Sequence, residues 1–432
     1  MSRLFKGTTG LIFITLCVMY FLTYVDRTNI AVAGKLMSTE LHLTKTQLGL
    51  ALSAFGTTYL AMQVVNGFIG DRFGPRKVLF GLGALWSAGT ILTGFATNLN
   101  TLICARMLVG LGEAGTIPTS TRAMTNWVPV SQRGLAQGFT HSAARLAAAA
   151  TPPIVVAVLP ASGWRGAFMI LGALSLTWAV VWLFMFRDDP RKHPTITKAE
   201  IDDLPPYSTG VKVHQVPWGK LIPRIFPTVL VFFCHAWVLW LYLTWMPTFL
   251  QDHSHIDLKK AALFTGLIFL PGTLGDTVGG MLSDRLYKVT GNLNSARRNV
   301  VILGFGVSLV ALSAVFFTTD INLVAIALSV ALFFLEMTEG PVWAVPMDIA
   351  PRYAGVAGGF VSSAAGLGAL VSPVAFGFIA DKTGSIVVPF GVSMGLLALG
   401  IVLSFFMRAD RPIEEGMSLA PSPSSAAMEG AL

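Results

Sequence analysis

The sequence predicts an all-α polytopic membrane protein, twelve transmembrane helices arranged as two pseudo-symmetric six-helix bundles. Composition points there first. Of 432 residues, 53% are hydrophobic and only 12% charged, where an ordinary soluble domain carries about 25% charge. Mean hydropathy is +0.67. The second observation is a series of twelve apolar runs of spanning length, and the third is a pair of motifs that recur between the two halves. Glycine, present 43 times, suits such a protein because small residues let helices approach closely.

The runs fall at 9–33, 47–70, 78–97, 99–123, 134–159 and 165–186, then at 223–250, 260–282, 299–317, 321–345, 353–379 and 386–407. The first is too long for the apolar core of a signal peptide and long enough to cross a bilayer. The organisation expected is therefore an N-terminal bundle (1–186), a connector (187–220), a C-terminal bundle (221–410) and a disordered tail (411–432). The connector is dense in charge and proline. The tail is rich in Ser, Pro and Ala and cannot bury a core.

A net charge of +8 raises the question of nucleic acid, but the basic residues sit in short loops between apolar runs. They report topology instead. With both termini inside, 21 of the 30 Lys and Arg lie on the inner side, six on the outer (Lys35, Lys45, Arg165, Lys259, Lys260, Lys382), and Arg27, Arg106 and Arg145 lie within spans. Cytoplasmic termini are expected, with lipid as the surrounding partner and a monomer as the working unit. Cys17, Cys104 and Cys234 fall in apolar runs without metal-like spacing, so neither a disulfide framework nor a metal site is expected.

The repeat is explicit. "GFIGDR" (67–72) and "GMLSDR" (280–285) share G-x-x-x-D-R, and "GLAQGF" (134–139) and "GVAGGF" (355–360) open the fifth and eleventh runs. Two parallel six-helix halves around a midplane site are a common secondary-transporter architecture. The loop from Gly67 to Lys77 resembles the signature between helices two and three of the major facilitator superfamily. "YVDRTNI" (24–30), "RMLVGLGEAGTIPTS" (106–120) and "LTWMPTFL" (243–250) resemble its anion:cation symporter family. That family holds bacterial sugar-acid and organic-anion/proton symporters and the animal phosphate, sialic acid and glutamate carriers. The resemblance implies a transporter, not an enzyme.

Charged residues inside spans are costly, at least about 2.5–3.5 kcal/mol each on insertion scales. Arg106 and Glu113 are two helical turns apart and share a face. Arg27 and Arg106 each lie roughly 10 Å from the outer end at 1.5 Å per residue, so two guanidiniums can share a level and grip an anion. Asp26 and Arg27 are neighbours, about 100° apart around the helix, and should not pair with each other. Asp26 and Glu113 are the expected proton carriers, a role the resemblance also implies. Tyr24, on nearly the face of Arg27, could bind substrate or hold the arginine.

Arg145 and His141, spaced i, i+4 among alanines, suit a further acid group of the substrate. Tyr242, Trp245, Ser362 and Ser363 are expected contacts from the second half, with Ser363 matching Ser142 across the repeat. Asp71, Arg72, Arg76, Asp284 and Arg285 read as a gate that clamps and releases inner helix ends. Asp276 and Glu339 are acids in spans without an assigned role, and Glu336 is expected to pair near the cytoplasmic gate, with lining the cavity as the alternative. Glu336 is not the exact repeat counterpart of Glu113, because a shift of 221 residues lands on Phe334.

The reading that joins these features is a proton-coupled symporter importing an organic anion, a sugar acid (hexonate, hexuronate or aldarate) or related carboxylate, by alternating access. No cofactor is needed beyond the coupling proton. The competing readings are an organic phosphate/anion antiporter and a proton-driven exporter of the same fold. An enzyme is disfavoured because "GLGEAG" lies inside a span and not between a strand and a helix.

Overall fold

The computed structural model describes residues 6–128, 133–205, 207, 217–350, 354–411 and 413. Its helices are α1 (Gly7–Glu40), α2 (Lys45–Phe73), α3 (Pro75–Gly94), α4 (Leu99–Glu113), α5 (Thr116–Trp127), α6 (Arg133–Met185), α7 (Lys198–Asp203), α8 (Trp218–His253), α9 (Leu258–Thr290), α10 (Leu293–Leu312), α11 (Ile321–Glu336), α12 (Glu339–Ile349), α13 (Ala354–Thr383) and α14 (Val388–Ser404). Among the described residues, eight helical stretches are long and apolar enough to cross a membrane unaided. The tail beyond residue 413 and most of 206–216 lie outside the described residues.

Helix starts follow local chemistry. Thr44 and Gln47 cap α2 reciprocally, as do Asn98 and Thr101 on α4, each box satisfying two otherwise orphaned N–H groups. Asp257 caps α9 and Asp320 caps α11. Gly74, at φ 83, turns the chain between α2 and α3, a conformation that favours glycine. At Gly163 (φ 62) the long α6 bends, so the fifth and sixth spans are joined by a kink where the sequence suggests a loop.

Two spans are broken. The first break separates α4 from α5 after Glu113, and the second separates α11 from α12 after Glu336. Both helices end on a glutamate. The structure thus makes Glu336 the positional counterpart of Glu113, correcting the register of the sequence repeat by two residues.

Helices α1–α6 form one half and α8–α14 the other, meeting along α2–α13, α6–α9 and α1–α8. A stacked ladder of Trp86, Trp178, Trp182 and Phe186 fills the first half. The connector docks on that half: Glu200 accepts the Thr9 N–H at 2.9 Å, and Thr8 donates to the Thr195 carbonyl. Burial of Glu200 raises its carboxyl, but N–H groups of Thr9 and Thr197 outweigh this and hold it below the usual value.

At the end of the molecule away from the connector, the halves are fastened together. Lys35 bonds Asp252 at 2.7 Å, Lys45 lies 3.5 Å from it, and Thr46 donates to Asp381. Close backbone approach continues inward along α2 and α13. A Cβ on Gly49 would meet the Pro373 carbonyl at 2.5 Å, and one on Gly56 the Leu370 N at 2.5 Å. Ser53 accepts from the Val374 N–H. Further along, Ser362 bonds Gln63 at 3.1 Å.

Candidate substrate and coupling site

Helix α1 delivers Asp26 and Arg27 to different neighbours. Arg27 donates through Nε and Nη2 to one oxygen of Glu113, at 3.1 and 2.8 Å. Both groups are buried, and the second Glu113 oxygen, Oε1, has no partner. Asp26 instead accepts from Ser175 of α6 at 2.5 Å, with Oδ1 unpartnered. The 100° divergence of neighbours on a helix explains the split.

Arg27 sits in a box of rings. Its guanidinium carbon lies 4.6 Å from the Tyr24 centroid, 5.1 Å from Tyr59, 5.2 Å from Phe55 and 5.8 Å from Trp240. Such faces stabilise a cation whose water has been removed. Trp240 belongs to α8, so the box closes across the two halves.

Arg106 lies against the same Phe55 ring, at 5.8 Å. Its Nη1 makes only a long 3.4 Å bond to the Asp26 carbonyl, and its Nε is unpartnered although the residue is 1% exposed. Among the described residues no carboxylate pairs with it. Both side-chain atoms of buried Asn29 are likewise unpartnered. Buried polar groups are nearly always hydrogen-bonded, so this concentration of unmet donors and acceptors on α1 and α4 marks a place built to receive something polar. Asp26, Arg27, Arg106 and Glu113, four residues singled out in the sequence, thus lie together, with Arg27 held by Glu113.

Arg145 departs from expectation. It is not an open anion contact: its guanidinium is taken by Glu336 and Glu339, with Asp276 at 3.6 Å. The reason is that three carboxylates of the opposite half converge on it. His141 packs edge-on against Tyr20 at 5.7 Å. A ring nitrogen of His235 and one oxygen each of Glu336 and Glu339 lie within 4.8 Å of one another, but Arg145 already holds both glutamates, which makes this an ion-pair centre and not a metal cage.

Tyr242 and Trp245 also differ from the expected contacts. The Tyr242 hydroxyl donates to the Leu328 carbonyl at 3.1 Å, and Trp245 donates to the Pro373 carbonyl at 3.0 Å while stacking on Phe376. Their polar atoms are spent on packing, and the α8 ring that reaches the site is Trp240, two residues before Tyr242 and on another face of the helix. Ser363 donates to the Phe360 carbonyl of its own helix, whereas Ser362 bridges the halves through Gln63.

Of the expected gate residues, Asp71 and Arg72 have side chains outside the described residues. Arg76 donates from its backbone to Asp188 (2.9 Å) and from Nε to the Leu183 carbonyl (2.8 Å). Burial raises the Asp188 carboxyl despite this N–H and the nearby cations. In the other half Asp284 is clamped by Arg297, which also holds Asp348 at 3.2 Å; Arg285 is exposed and has no partner among the described residues.

Comparison with known proteins agrees with this architecture. The sequence profile of the Major Facilitator Superfamily matches residues 16–362. A protein of Cupriavidus necator named "Probable sulfoacetate transporter SauU" is 45% identical over 404 residues, 93% of this chain and 94% of that one. The hexuronate transporter of Bacillus subtilis is 30% identical (87% and 89% covered), and the D-galactonate transporter of Escherichia coli is also 30% identical (87% and 89%). Among solved structures, a bacterial homologue of the human lysosomal transporter Spinster, inward-facing and occupied, superposes with a TM-score of 0.77 at 16% identity, covering 94% of this chain and 97% of that one. That likeness concerns the fold alone.

Proposed function

The chain belongs to the Major Facilitator Superfamily, its matched relatives being transporters and not enzymes, and on that premise we propose that it is a proton-coupled symporter importing a small organic anion. One observation carries this reading: two buried guanidiniums share the Phe55 ring, and each of the adjacent carboxylates, Asp26 and Glu113, keeps one oxygen unpartnered.

The charge logic is simple. With both carboxylates ionised, the four groups sum to zero and Glu113 occupies Arg27. Each proton taken up cancels one negative charge, so the doubly protonated site carries two uncompensated positive charges. Arginine keeps its charge at any working pH, and a fork of N–H donors suits a planar or tetrahedral acid group. The anion then replaces Glu113 on Arg27 and extends toward Arg106. Protons and anion cross together as the halves rock, with both termini cytoplasmic and the end fastened by Lys35, Lys45 and Asp252 facing outward.

The wall around Arg27 is made of four rings 4.6–5.8 Å from its guanidinium carbon, which suits a compact anion bearing a carboxylate or sulfonate. The 45% identity to the protein named "Probable sulfoacetate transporter SauU" supports that class. A second reading, a sugar acid such as a hexonate, hexuronate or aldarate, draws on the unpartnered Asn29 amide and on the relatives at 30% identity.

The test is uptake into proteoliposomes holding the full chain, offering labelled sulfoacetate or D-galactonate with and without an external acid gradient. Gradient-dependent accumulation, abolished by a protonophore, is expected. Uptake of only neutral or cationic compounds, or anion uptake indifferent to the gradient, would overturn the reading.

A further inference from the structure

We propose that the carboxylates gathered on Arg145 form a second proton-binding site, in the half opposite Asp26 and Glu113, and that filling it weakens their hold on Arg145 and loosens the junction between halves. The proposal deepens the proton-coupled reading above and rests on it.

Charge counting comes first. Glu336 (α11), Glu339 (α12) and Asp276 (α9) face a single guanidinium, Arg145 of α6. Three ionised carboxylates against one arginine leave two negative charges in excess at membrane depth. A charge there is expensive unless paired, and the inexpensive neutraliser is a proton. His141 of α6 and Tyr24 of α1 lie within electrostatic reach of Glu339 and Arg145. His235 of α8 completes the surroundings. No lysine, and no arginine besides Arg145, ion-pairs with the cluster among the described residues.

A second observation is independent of the acids. His235 is 0% exposed; its Nδ1 meets the Thr338 hydroxyl at 3.1 Å, while Nε2 has no partner. One of its ring nitrogens lies within 4.8 Å of oxygens from Glu336 and Glu339. A buried imidazole close to carboxylates, with one ring nitrogen left unmet, is a ready acceptor or relay for a proton.

Access and leverage complete the argument. Glu336 is closed off at 3% side-chain exposure, but Asp276 is 32% exposed and Glu339 17%, so a proton can enter at an exposed outer oxygen and pass inward. Glycines on α9 bring the break of α11–α12 onto it: a Cβ on Gly275 would meet the Phe333 carbonyl at 2.3 Å. Because Arg145 alone comes from the first half, protonating its acceptors weakens a bond that spans the interface. Glu336, ending a broken helix as Glu113 does, gives each half its own carboxylate at a break.

Two measurements on the full chain decide this. Proton:anion stoichiometry, from reversal of sulfoacetate or galactonate flux in proteoliposomes clamped at zero membrane potential, should fall by one in Glu336→Gln or Glu339→Gln. At a gradient of about one pH unit that lowers steady accumulation about tenfold. Separately, spin labels at Lys77→Cys and Lys288→Cys, with native cysteines replaced, should report an inter-half distance distribution that shifts with pH when the cluster is intact. The shift should vanish in Asp276→Asn/Glu339→Gln. Wild-type stoichiometry in the glutamine variants, or a distance distribution indifferent to pH in the intact cluster, overturns the second site. If flux ignores the gradient altogether, the transport reading falls, and the distance measurement judges the cluster by itself.

Discussion

Replacing Glu113 by Gln isolates the step in which Arg27 changes partners. The substitution keeps the side-chain shape but removes the charge that holds Arg27 through two bonds of 3.1 and 2.8 Å to one oxygen. A charge-assisted hydrogen bond contributes about 1.5–3 kcal/mol. A substrate anion arriving at wild-type Arg27 must first displace Glu113, and in the variant it need not. Anion affinity near neutral pH should therefore rise by about that amount, roughly 10- to 150-fold in Kd. Wild-type affinity should climb toward the variant's as pH falls, because protonation does chemically what the substitution does genetically. Isothermal titration of the purified protein at two pH values measures both. If Glu113→Gln binds no more tightly than wild type at neutral pH, or if its affinity rises with acid as steeply as wild type's, Glu113 is not the competitor for Arg27.

Three further outcomes follow from the same geometry. Arg27→Ala orphans a fully buried Glu113 and should cost about 3–5 kcal/mol of stability; adding Glu113→Gln should restore part of it, which thermal unfolding of single and double variants in detergent will show. Gly56→Ala places a Cβ 2.5 Å from the Leu370 N and should cost about 1–3 kcal/mol by overpacking while slowing uptake; an unchanged midpoint and rate would deny that α2 and α13 pack this closely. Glu200 is held below its usual value near 4.5, so its docking of the connector onto α1 is present above that pH and fades as pH falls through the lowered value; hydrogen exchange at the Thr9 amide should accelerate there, and should be fast at all pH values in Glu200→Ala.

The spans and the cluster on α1 and α4 were legible because each depends on periodicity and depth, which a linear chain states directly. Arg27 and Arg106 share a level through rise per residue alone, and Glu113 lies on the face of Arg106 two turns deeper. What lay beyond reach depends on approach between helices. Phe55, Tyr59 and Trp240 are ordinary apolar positions until three helices bring them around one guanidinium. Arg145 read as open because its alanine neighbours are small, yet its partners come from the other half. Tyr242 and Trp245 carried the right chemistry on the wrong side of α8, since packing and not spacing decides which ring faces inward. The α11 break shifted the repeat by two residues and hid the likeness of Glu336 to Glu113, although Pro341 and Pro346 signalled an irregular span.

The junction of Lys35, Lys45 and Asp252 has side chains 25–48% exposed, unlike the glycine contacts beneath it. Exposed pairs of this kind are worth about 0–1 kcal/mol each and are screened by dissolved ions, over about 8 Å at physiological strength. Dissolved ions therefore act on one layer of this junction alone: high ionic strength loosens the charged clasp and leaves the backbone zipper beneath it untouched, so salt tunes the balance between the two halves without reaching the contacts that bring them closest.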